Sequence, residues 1–98
     1  MENRDTRYDL IKPMIADGKV QSFNDVFKYI PKTVVARDLG KKVDRFTELM
    51  NQVEDFTLGE MFFMGKLFGL NEAEILKLAT NDYLIQTNEI SKPKKKVQ

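Results

Sequence analysis

The sequence predicts an all-α protein, a compact bundle of five or six short helices. Three observations predict it. Apolar residues recur at helical spacing, as in Phe23, Val26, Phe27 and Ile30, and no convincing stretch alternates as a strand would. Capping pairs three residues apart precede successive apolar runs: Ser22 with Asp25, Thr57 with Glu60, Asn71 with Glu74. Isolated glycines, Gly18, Gly40 and Gly69, close such runs where helices commonly end.

Residues 1–5 are polar and are expected to fray. A helix should begin at Thr6, with Tyr8, Ile11 and Ile15 on one face and Leu10 and Met14 flanking them. Pro13 interrupts it. Inside a helix it removes a backbone hydrogen bond at a cost of about 3 kcal/mol, so a kink or a late start near Lys12 is expected. Ser22 and Asp25 open the next helix, FNDVFKYI, and Pro31 both stops it and suits the start of another.

The stretch from Lys32 to Asn51, KTVVARDLGKKVDRFTELMN, reads as two short helices around Gly40. A tight break between helices needs a residue with positive φ, which glycine adopts without a Cβ clash. Val35, Ala36 and Leu39 should face inward from the first helix, and Val43, Phe46, Leu49 and Met50 from the second. Ala36 is small, as the close approach of two steeply crossing helices requires. Two capped helices follow, MFFMGKLF and ILKLA. Beyond Thr80 polar residues dilute the apolar pattern, so residues 1–80 are read as one domain and 81–98 as a flexible polar and basic tail ending KPKKKVQ. The Lys94–Lys96 cluster is read as solvated, with disordered phosphate contacts as the functional reading.

The spacing Ala36, Leu39, Gly40, Phe46, Leu49 resembles the helix-turn-helix of phage repressors and Cro. The following TLGEMFFMGKLFGLNEAEILKLA resembles the supporting pair of the lambda-repressor-like family without a gap, so the likeness runs over residues 31–79. It implies a helix-turn-helix at about 32–51 with an added N-terminal helix, and sequence-selective binding of double-stranded DNA by a transcriptional regulator acting as a dimer. Carried over by position, Lys42, Val43, Asp44, Arg45 and Glu48 would lie near base edges, and Lys32, Thr33 and Lys41 near phosphates. It also implies that Leu58, Met61, Phe62, Met64, Gly65 and Phe68 are core. Phe63 and Leu67 then fall on a side that is often polar, to be covered by the N-terminal helix or, alternatively, by a second subunit.

The chain departs from the family in three ways. Lys41 stands where an apolar residue is usual, Gly18 and Pro31 divide the upstream region, and Asp38, Asp44 and Glu48 place carboxylates on or near the reading surface. Residues 32–51 carry five basic and three acidic groups, whereas 52–79 carry two and five. The asymmetry has the sign a DNA face needs, but it is small. The alternative on the same fold is a protein-interaction module that does not bind DNA, docking through Phe63 and Leu67 or through the helix after Gly40.

Catalysis is not expected. The chain has no Cys and no His, which removes thiolate, zinc and His-base chemistry, and its five Gly form no phosphate-cradling loop. No cofactor, metal or small-molecule substrate is expected. No apolar run approaches the ~20 residues that span a membrane, and the absence of Cys and of a leader suggests a cytoplasmic setting.

Overall fold

The computed structural model describes residues 5–87, and every regular element among them is helical. A 3-10 helix at Thr6–Leu10 runs into α1 (Ile11–Ala16). After it come α2 (Phe23–Val26), α3 (Lys32–Asp38), α4 (Val43–Asn51), a 3-10 turn at Val53–Asp55, α5 (Leu58–Phe68) and α6 (Glu72–Gln86).

The first helix starts late, as Pro13 requires. The α-helical hydrogen bonds begin at Ile11, which places Pro13 in the first turn, where its missing N–H removes no intrahelical bond. The preceding 3-10 turn begins at Thr6, and Asp5 caps it by accepting from the Arg7 N–H at 2.9 Å. α2 is a single turn rather than a helix reaching Ile30, and Ser22 makes no side-chain cap bond. Its apolar residues are nonetheless covered: Phe23, Val26 and Ile30 are buried and Phe27 is half-buried. Both later capping boxes form. Thr57 accepts from the Glu60 N–H at 3.0 Å and Asn71 from the Glu74 N–H at 2.8 Å, with each glutamate returning the bond to its cap residue.

The core is built around Phe46. Its ring meets Phe27 at 5.7 Å and Phe56 at 5.9 Å, both edge to face, and Phe56 meets Phe23 at 6.1 Å. Tyr8 of the N-terminal turn packs its ring on Phe68 of α5 at 5.7 Å. α5 and α6 approach closely at Gly65, where a Cβ would lie 3.2 Å from the Ile75 side chain.

Three expectations need correction. Leu58, expected in the core, is 61% exposed because it opens α5 before the helix meets its neighbours. Leu67, expected as a possible surface, is buried at 3% exposure, and the N-terminal turn packs against its helix. The expected tail from residue 81 is helical as far as Gln86, because its polar groups make long-range bonds. Asn81 donates to the Gln21 carbonyl at 2.6 Å, and Gln86 donates to the Met50 carbonyl at 2.7 Å and accepts from the Val53 N–H at 3.1 Å. The buried carboxylate of Asp82 accepts from the Phe23 N–H and, at 2.8 Å, from the Asn24 side chain, supplying from α6 the cap that Ser22 does not give α2. Lys94–Lys96 and the rest of 88–98 lie outside the described residues. No described helix is long and apolar enough to cross a membrane.

Candidate nucleic-acid interface

Gly40 separates α3 from α4 with φ of +76°. Its N–H donates to the Arg37 carbonyl at 3.0 Å and the Lys41 N–H donates to the Ala36 carbonyl at 2.9 Å, so two of the last carbonyls of α3 are satisfied as the chain turns. Lys42 is extended and α4 begins at Val43. Val35 and Ala36 of α3 and Phe46, Leu49 and Met50 of α4 are buried, which fixes the two helices against each other and against the core.

The opposite side of α4 is open. Lys42, Val43, Asp44, Arg45 and Glu48 are exposed on the turn and the first two turns of the helix. Val43 was expected to face inward; it stands one turn before Phe46, at the open end of α4, and is left 39% exposed. Thr33 is exposed and Lys32 half-buried at the start of α3. At 1.5 Å per residue they stand about 10 Å from the Gly40 turn along the α3 axis. The structure therefore brings Asp44, Arg45 and Glu48 together on the solvent side of α4, with Lys42 and Val43 exposed at its start, and sets Lys32 and Thr33 at the opposite end of α3 from the turn.

Charge on this surface is unevenly available. Lys41 reaches across to α5 and pairs with the Glu60 carboxylate at 2.6 Å, with both side chains about one-fifth to one-quarter exposed. Burial pushes the Glu60 carboxyl up, but the Lys41 ammonium and the Thr57 amide outweigh it and hold the group below its ordinary value. Arg45 pairs with Glu48 one turn along α4 at 3.1 Å, and both groups are solvated. Among the described residues no ion pair engages Lys32 or Lys42.

Asp38, a carboxylate expected to burden the reading surface, is drawn inward instead. It accepts from the Tyr8 hydroxyl at 2.7 Å and from Arg37 at 3.2 Å. Burial, reinforced by the adjacent Asp38 charge, pushes the Tyr8 phenol well above its ordinary range, so it stays a donor. This bond ties the N-terminal turn to the end of α3.

Phe63 is 39% exposed and lines a shallow cleft with Gly40, Thr57 and Glu60, beside the turn. A second apolar surface went unread in the sequence: Leu58 and Tyr83, at 61% and 42% exposure, rim a groove floored by Met61, Leu76 and Ala79. Its only sequence signal was an apolar residue directly after the Thr57 cap. Glu60 was legible as a capping residue, but nothing local marked it as the partner of Lys41.

Chemically, the α3–α4 pair offers the Lys32 and Lys42 ammoniums, two exposed guanidiniums each shared with a carboxylate (Arg37 with Asp38, Arg45 with Glu48), the Asp44 carboxylate, the Thr33 hydroxyl and one exposed Val. Those are means of holding an anionic or polar partner. Among the described residues no set of three acidic, His or Cys side chains is arranged to hold a metal ion. Comparison with protein-family models, curated proteins and solved structures finds no match to this chain.

Proposed function

We propose that the protein binds double-stranded DNA through the α3–α4 pair, as a small helix-turn-helix regulator acting as a dimer. The observation that carries this is the two-sidedness of α4. Phe46, Leu49 and Met50 lock one side into the core, while Asp44, Arg45 and Glu48 leave the other uncovered, with Lys42 and Val43 exposed at the helix's open start after a positive-φ turn. A rigidly backed, open helix is what reading base edges in a major groove requires. Lys32 and Lys42 serve phosphates, Thr33 donates to one, and Arg45 contacts a base edge once it leaves Glu48. Two available lysines per subunit correspond to a salt slope of only about −2, so a dimer is needed for useful affinity.

Selection from random duplexes at low salt tests this. One sequence class should be enriched, and a Lys42→Ala, Arg45→Ala double variant should lose that enrichment while keeping its helical circular dichroism. No enrichment, with unchanged affinity in the variant, refutes DNA reading.

A second reading is favoured by the groove between Leu58 and Tyr83 and by the Arg45–Glu48 pairing. In it the same fold docks a protein partner and does not bind DNA. Under that reading Leu58→Asp and Tyr83→Ser abolish partner binding and leave the fold intact.

A further inference from the structure

Lys41 directly follows Gly40 in the turn that delivers α4, a position that the helix-turn-helix resemblance sets near phosphate, yet its ammonium is directed to Glu60 at 2.6 Å. The same glutamate accepts the Thr57 N–H at 2.9 Å through its other oxygen. One carboxylate thus closes the α5 capping box with one oxygen and holds the turn's lysine with the other. Both side chains are largely covered, so the pair is less screened by salt than Arg45–Glu48 on the solvated face.

We infer that Glu60 is a positioning residue that withholds Lys41 from nucleic-acid phosphate and thereby sets the strength and salt dependence of binding at the α3–α4 surface. This rests on the DNA-binding reading above and goes further, because it assigns a role to a residue outside the proposed contact set. With Lys41 held, the sequence-independent part of the affinity stays small and discrimination falls to the α4 residues. Glu60 carries out this role through its charge, while its capping role needs only an acceptor. A Gln at this position retains the acceptor and loses the hold on Lys41, so the two roles are separable.

The experiment is a double-mutant cycle in the full chain: wild type, Glu60→Gln, Lys41→Met and the pair together. Each is titrated by fluorescence anisotropy against a labelled mixed-sequence duplex from 50 to 200 mM salt. One phosphate contact adds about −0.9 to the slope of log affinity against log salt. Glu60→Gln should therefore bind more tightly at low salt and lose about 3.5-fold more affinity than wild type across that range. Lys41→Met should match wild type, because its cation was already withheld, and the double variant should match Lys41→Met.

If Lys41→Met alone flattens the slope by about one contact, Lys41 already meets phosphate and the inference is overturned, while DNA binding stands. An unchanged slope in Glu60→Gln, or a gain that persists without Lys41, overturns it equally. If wild type shows no affinity even at low salt, binding gained by Glu60→Gln supports the withholding role. Failure of both to bind removes this inference together with the DNA reading. Thermal melts of all four proteins verify folding.

Discussion

Replacing Phe46 by Ala should be among the most damaging single changes in this chain. The side chain is fully buried and joins three segments, with Phe27 and Phe56 edge to face at 5.7 and 5.9 Å. Deleting a buried phenyl costs about 3–5 kcal/mol in transfer and cavity terms. Two aromatic contacts, each worth about 0.5–1.5 kcal/mol, are lost with it and push toward the upper end. Phe27 is only half-buried and can move into part of the void, which pulls the other way. The expected loss is about 4 kcal/mol, a large share of the ~5–15 kcal/mol that holds a domain together. Urea denaturation followed by circular dichroism reads it as a lower midpoint at an unchanged slope. The consequence reaches α4 itself, since Phe46 backs the exposed residues Val43, Asp44 and Arg45. A loss under about 1 kcal/mol would mean that the phenyl ring is not the keystone of the aromatic cluster, and the account of how α4 is held would fail.

Gly40→Val should destabilise by about 1–2 kcal/mol or more from backbone strain alone, since φ is +76° and nothing lies within 4 Å of an added Cβ. Gly59→Ala, at an exposed position in the first turn of α5 with ordinary φ, should instead stabilise by about 0.4–1 kcal/mol; equal effects in urea melts would contradict the conformational explanation. Asp82→Ala should cost about 1–3 kcal/mol by leaving the buried Phe23 N–H without its acceptor, and hydrogen exchange should show α2 opening before α5. Burial holds the Asp82 carboxyl above its ordinary 3.8 despite its bonds to Asn24 and the Phe23 amide. The folded chain therefore binds this proton more tightly than the unfolded one, and the contribution to stability falls as pH rises from 3.8 through the folded value. The stability of wild type relative to Asp82→Asn should decline across that interval; a rise would reverse the assignment.

What the sequence by itself determined are the features decided within one helical turn. Gly40 was legible because the break needs positive φ. The Thr57–Glu60 and Asn71–Glu74 boxes were legible because cap and acceptor stand three residues apart, and Phe46, Leu49 and Met50 because 3.6-residue periodicity places them on one face. Only the tertiary structure decided which polar residues are structural. Asp82 caps a helix 59 residues away, and Tyr8 reaches Asp38 across 30. Gln86 clamps Met50 from 36, and Lys41 is taken up by Glu60. In sequence, the polar residues near the end of α6 are indistinguishable from those of a solvated tail, because a polar side chain has no periodicity that names its partner. For the same reason Val43 and Leu58 could not be placed by pattern alone: each opens a helix at the edge of the core, where burial depends on what packs over that end. The architecture of the α3–α4 pair was thus local information, whereas the charge its surface can present was set by contacts made across the fold.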